Sequence, residues 1–174
     1  MRAAEVYTID SAHSDVSFKV GHRLFKTPGR FNKIKGSIQV DATDMSKSSV
    51  EVTIETASIN TGEEARDKHL RSGDFFDAAT YPAITFKSTS VKDLGQGRLE
   101  VTGDFTLRGV TKRITFPIWN GGNDKLQDGA ITICFLNGVL KLNRSEYGLK
   151  AFPVLIGDEV EISLNVVAEH PKNA

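Results

Sequence analysis

The sequence predicts a mainly β protein in which eight antiparallel strands close into a barrel, with one short helix between the third and fourth strands. Three observations predict it. Apolar and polar residues alternate with a period of two along most of the chain. Only one stretch, around Arg66 to Leu70, carries strong helical signals. No strand–helix–strand rhythm occurs, which argues against a parallel sheet. At 174 residues the chain reads as a single domain, residues 1–174, able to bury a substantial core.

The strands follow in order. Val16, Phe18, Val20 and His22 share one face of the first, against Ser17, Lys19 and Arg23. Ile34, Gly36, Ile38 and Val40 mark the second; Val50, Val52 and Ile54 the third; Ile84 and Phe86 the fourth. Leu99, Val101, Gly103, Phe105 and Leu107 mark the fifth, and Ile114, Phe116 and Ile118 the sixth. The run from Ile131 to Leu142 is apolar on both faces before it alternates, so a bulge is expected near Asn137-Gly138. Val160, Ile162, Leu164 and Val166 close the series. Residues 41–49, 93–97 and 121–124 read as polar turns, and Arg108-Gly109 as a tight hairpin.

The helix has start and stop signals. Thr61 followed by Glu64 fits a capping box, and Glu63 and Glu64 suit the positive end of the helix dipole. Gly73 reads as the C-terminal stop. Arg66, His69 and Leu70 share a face, while Asp67 and Arg71 are spaced to pair on another.

Closure removes the exposed edges an open sheet must protect. An eight-stranded barrel either fills itself or holds one small ligand. Phe18, Phe86, Phe105 and Phe116 face the expected interior, where mid-strand Gly36 and Gly103 leave space or let the sheet coil. A cavity there would be apolar and would suit a hydrocarbon tail.

Lys and Arg number 22, as do Asp and Glu, with no basic stripe, so no nucleic-acid partner is expected. Cys134, between Ile133 and Phe135, reads as a buried, inert thiol, and one cysteine allows no internal disulfide. No apolar run has the length of a signal peptide or a membrane span, so no stable membrane insertion is expected. As written the chain reads as cytoplasmic, or as periplasmic if an upstream signal has been removed.

His13, His22 and His69 could meet at one rim with Asp67 or Asp15 and hold zinc. A metal- or histidine-dependent hydrolase acting on a small amphiphile is therefore the alternative reading. Nothing in the spacing demands it: there is no His-Glu-x-x-His, no Cys pair and no Gly-x-Ser-x-Gly elbow.

Motifs spread from Tyr7 to Val160 carry a resemblance. They are Tyr7-x-Ile9-Asp10-x-x-His13-Ser14-x-Val16-x-Phe18-x-Val20-x-His22, Ile59-x-Thr61-Gly62, and Arg66-Asp67-x-His69-Leu70-x-Ser72-x-Asp74-Phe75-Phe76-Asp77. Tyr81-Pro82-x-Ile84-x-Phe86, Gly103-x-Phe105-Thr106-Leu107-x-Gly109-Val110-Thr111-Lys112, Asn143-Arg144-x-x-Tyr147-Gly148 and Ile156-Gly157-Asp158-x-Val160 complete them. In this order the set resembles the YceI-like family, also described as polyisoprenoid-binding proteins. The resemblance implies a lipocalin-like, extended eight-stranded barrel with a long apolar tunnel. It implies a carrier or store of an isoprenoid lipid, such as an isoprenoid quinone, a polyprenyl diphosphate or a similar amphiphile. It implies no enzyme activity and no cofactor, and is compatible with a homodimer. His13, His22, Arg66, Asp67, His69 and Arg144 are the polar residues of its motifs, expected to hold a head group at the mouth or, as an ion-paired network, only to brace the helix. Phe18, Phe86, Phe105 and Phe116 are expected to line the tunnel. The bulky run Ile131 to Leu136, and Tyr147 where the family more often has Phe, depart from the pattern.

Overall fold

The computed structural model describes residues 5–126 and 131–171, and its strands form one antiparallel sheet. β1 (Glu5–Ile9) continues after a break as β2 (Asp15–His22). After the turn at Arg23-Leu24 the chain returns as β3 (Phe25–Phe31) and, past a second break, as β4 (Ile34–Val40). β5 (Ser49–Glu55) is followed by a 3-10 turn, Thr56–Ser58, and the short β6 (Ile59–Asn60). These six segments make three staves. β7 (Ala83–Gly95), β8 (Arg98–Leu107), β9 (Val110–Leu126), β10 (Ile131–Asn143) and β11 (Ile156–Pro171) supply five more. β1 pairs with both β4 and β11, so eight staves close into a barrel.

Local chemistry explains the breaks. Asp10 accepts a hydrogen bond from Ala12 N at 3.0 Å, turning the chain out of the ladder after β1. Ser14 then patches the gap: its hydroxyl accepts from Val167 N at 2.9 Å and donates to Val167 O at 3.1 Å. In the second break Asn32 N donates to Ser58 O and Lys33 O accepts from Glu55 N, so the second stave pairs with β5 through β4 and with β6 through β3. Beyond Glu55 and Ala83 the third and fourth staves part. The helix α1 (Glu64–Leu70) and the segment 71–82 occupy the chain between them.

The alternating faces are as the sequence predicts, but several details differ. β1, β3 and β6 have too few residues, or too little alternation, to read as strands. Residues 121–124 are not a turn; they continue β9, because pairing with β10 extends to Leu126. The expected bulge lies opposite β10 rather than at Asn137-Gly138: Phe135 faces Gly122 and Leu136 faces Asn120, leaving Gly121 as the extra residue. The Cys134 side chain falls outside the described part. Thr61 is not the N-cap of α1. Glu63 takes that position without a side-chain bond, and Thr61 is drawn instead to Asp67, whose Oδ1 accepts from Thr61 N at 2.9 Å and from its hydroxyl. Asp67 is thereby committed, and Arg71 pairs with Glu64 Oε1 at 3.3 Å rather than with Asp67. The helix ends at Arg71, ahead of Gly73.

The mid-strand glycines Gly29, Gly36 and Gly103 do not leave open space. The Phe86 ring lies over Gly103 and the Phe18 ring over Gly29, its cross-strand neighbour, so each aromatic fills the hollow a missing side chain makes. Gly103→Ala should therefore overpack the wall and lower stability by about 1–3 kcal/mol. Gly73→Ala, with open space around it, should leave the thermal midpoint within a degree or two of wild type. A melting comparison of the two checks this.

Candidate functional site

The barrel is hollow. A cavity of about 380 Å³ occupies the end where the staves part, and a smaller one of about 100 Å³ lies deeper. Alternation along β11 shows how they are stacked. Ile156, Val160 and Ile162 face the larger chamber, and Ile162, Leu164 and Val166 the smaller. Val16, Phe105 and Ile162 line both and form a waist between them. Phe105 is held there edge-on by Tyr147, with ring centroids 5.5 Å apart. The larger chamber falls within the ~300–1,000 Å³ typical of small-molecule sites; the smaller does not.

Its polar groups gather near the opening. β2 delivers His22 in phase with Val16, Phe18 and Val20, while α1 delivers Arg66 and His69 beside Leu70. Arg66 Nε donates to Thr61 Oγ1 and Nη2 to Thr61 O, both at 2.7 Å, and Nη1 lies 3.5 Å from Glu63 Oε2. His69 Nε2 lies 2.9 Å from Asp74 Oδ2. A carboxylate can only accept, so Nε2 is the donor in this contact. The His69 ring meets Phe75 at 5.1 Å and Phe152 at 5.8 Å, both edge-on, and those two phenylalanines stack on each other.

Arg144 also borders the chamber but is already engaged. Nη1 donates to Leu149 O (2.7 Å), Nε to Gly157 O (2.9 Å) and Nη2 to Ile156 O (3.0 Å). Burial pulls its pKa below the ordinary guanidinium value, opposed by the nearby Asp158 charge. Burial pushes the Tyr147 phenol up. Asp158 is held below the usual carboxylate range by hydrogen bonds from Ser145, whose amide lies 2.8 Å from Oδ1, with a smaller contribution from Arg144.

The ten candidate residues are thus divided. Phe18, His22, Arg66, His69, Phe105 and Arg144 border the larger chamber. Phe86 and Phe116 border the smaller one, as does Phe105. Asp67 lies off the cavity, 4% exposed and bound to Thr61. His13 is far from the mouth in chain topology: it sits in the break after β1, exposed, with Nδ1 2.7 Å from Asp10 Oδ2. Arg66, Asp67 and Arg144 do not form an ion-paired network; Thr61 mediates between the first two, and Arg144 binds carbonyls. The zinc reading fails for the same reason. His13 and His69 each sit beside their own aspartate, and among the described residues no three His, Cys, Asp or Glu side chains come together to hold a metal. Sequence reasoning missed Leu142, Tyr147, Leu149, Phe152 and Leu155, which border the chamber from β10 and the segment before β11. The apolar run Phe152 to Ile156 was their available signal, but it has no period to read.

These features define a class: a small, closed, antiparallel barrel with an apolar interior and a mouth partly covered by a helix. Residues 7–168 match the YceI-like domain, and the chain belongs to that family. A UPF0312 protein of Vibrio parahaemolyticus is 46% identical over 123 residues, 68% of this chain. The match spans 65% of that relative's length, just under two thirds. Burkholderia cenocepacia BcnA superposes with a TM-score of 0.81 at 29% identity, covering 91% of this chain and 98% of that one. A polyisoprenoid binding domain from Saccharophagus degradans, implicated in plant cell wall breakdown, shares the fold with a TM-score of 0.71 at 19% identity, over 95% of this chain and 98% of its own.

Two outcomes test the bracing. Arg144→Ala orphans three carbonyls and should lower stability by about 2–4 kcal/mol in denaturant titration. The Asp158 pKa is lower folded than unfolded, so its contribution is full above about pH 4 and lost as pH falls through the depressed value. Asp158→Asn should accordingly flatten the acid limb of a thermal midpoint–pH curve below pH ~4.

Proposed function

We propose that this protein binds a long-chain isoprenoid lipid with the tail in the barrel and the head group at the rim, as a carrier or store rather than an enzyme. The observation that carries this reading is the apolar cavity of about 380 Å³ whose polar neighbours lie near one opening. Family membership supports it, as does the name polyisoprenoid binding domain given to a protein of the same fold. The energetics are adequate. At about 0.8 kcal/mol per buried CH₂, roughly ten methylenes supply the ~8 kcal/mol of micromolar binding, and ordering of the tail offsets part of it.

The rim favours a neutral, flat head group such as a quinone over a diphosphate. Both arginines beside the chamber are engaged: Arg144, buried, has each of its three nitrogens on a backbone carbonyl, and Arg66, partly exposed, holds Thr61 through Nε and Nη2 with Nη1 near Glu63, so Arg66 is the one a head group can reach. One arginine is a weak match for a diphosphate. The aromatic group His69, Phe75 and Phe152 offers faces and edges for a ring.

Organic extraction of purified protein followed by mass spectrometry should recover a polyprenyl lipid. Repeated extraction without one, together with no binding of an added prenyl quinone, overturns the reading. Arg66→Ala should weaken prenyl-quinone binding about tenfold with a small change in melting; lost stability at unchanged affinity would make Arg66 a brace only. Phe105→Leu should open the waist and shift preference toward longer tails, read as the affinity ratio of a long- to a short-chain prenyl quinone.

A further inference from the structure

Nine large apolar residues are exposed among the described ones, and five of them, Leu24, Phe25, Phe152, Val154 and Leu155, come from two loops at one end of the barrel. The loops are joined: Arg23 N donates to Leu155 O at 3.3 Å, and His22 pairs with Ile156. Leu24 is 95% exposed, Val154 94% and Phe25 77%, so these side chains pack on little of their own protein. Phe152 and Leu155 are exposed and also border the larger chamber, so they link the outer apolar patch to the chamber lining. Arg23, Lys26 and Lys150 flank it, exposed, and take part in no ion pair among the described residues. The nearby Asp158 and Glu159 are engaged, the first by Ser145 and the second by Lys141 at 3.5 Å.

We propose that this rim docks the mouth of the barrel on an anionic phospholipid bilayer, Leu24, Phe25 and Val154 entering the interface and the basic residues meeting the head groups. The inference rests on the lipid-binding reading and gives it a route. An isoprenoid tail crossing water would expose about 0.8 kcal/mol per CH₂. A mouth seated on the membrane lets the tail pass from acyl chains to the barrel interior over Phe152 and Leu155 without that exposure. Apolar insertion joined to basic flanks is the combination that holds proteins at interfaces reversibly. A second copy of the chain is the other occupant an apolar rim could take, but three uncompensated cations on each copy would then face one another.

The test is flotation of the full chain with vesicles of phosphatidylethanolamine and phosphatidylglycerol (3:1), or of phosphatidylcholine alone, comparing wild type with Leu24→Glu/Val154→Glu. Both positions are solvent-exposed, so the double variant should melt as wild type does. Wild type should float with the anionic vesicles and less with the neutral ones; the variant should lose roughly tenfold in partitioning. Its affinity for farnesol dispersed in buffer should be unchanged, while its rate of prenyl-quinone uptake from vesicles falls. Equal partitioning of the two proteins, or no flotation of wild type, overturns the docking surface. So does a wild-type dimer in light scattering that the variant converts to monomer. Failure of wild type to bind either farnesol or an added prenyl quinone, with no lipid recovered on extraction, overturns the lipid-binding reading itself, and is recognised separately because flotation does not depend on it.

Discussion

The mouth exists because three of the eight staves cannot run straight. β1 must pair with β4 and β11 to close the sheet. Each of the first three staves then breaks, at residues 10–14, 32–33 and 56–58. Past those breaks β3 takes β6 as its neighbour, and no stave bridges the space down to β7. Strand pairing satisfies backbone groups only where it is continuous, so the parted end has to recruit other partners. Ser14 serves Val167, Ser58 and Lys33 carbonyls serve Asn32 and Glu55, and the Asp67–Thr61–Arg66 relay fastens α1 over the gap. The larger chamber is at that end and the smaller at the continuously paired end, as this geometry requires.

On the opposite wall a bulge in β11 has a related task. Between Ile156 and Val160 the strand spends three residues opposite the single Gly21 of β2. The displaced residues present acceptors sideways: Gly157 O meets Arg144, and the Asp158 carboxylate meets Ser145. Arg144 gathers Leu149, Gly157 and Ile156 around one guanidinium, so the segment between β10 and β11 is held without an ion pair of its own. Arg108 adds a strap from the β8–β9 hairpin, reaching Gly73 O at 3.0 Å.

How far the sequence is legible depends on whether a feature repeats. Inward-facing side chains of β2, β8, β9 and β11 follow a period of two, and Val16, Phe18, Val20 and His22 do share one face of the interior. Eight staves and the helix between the third and fourth could be read in the same way. The breaks could not, because each is set by one side chain whose partner lies far along the chain: Ser14 and Val167 are 153 residues apart. Thr61 shows the limit of local rules, since a residue three places before a glutamate was claimed instead by Asp67. The motif residues divide likewise. His22, Arg66 and His69 reach the mouth by strand or helix phase, whereas the placement of Arg144 depends on a bulge and that of Phe152 on a loop.

Phe152 stands with φ at 53°, a left-handed backbone that glycine adopts freely and phenylalanine resists by about 1 kcal/mol. Its carbonyl accepts from both Leu155 and Ile156, so the turn is wanted whatever the side chain. An engineer pursuing thermal hardness would therefore be drawn to Phe152→Gly. That choice would relax the chain and strip the ring from beside His69 and Phe75, so at this one position ruggedness and recognition pull in opposite directions.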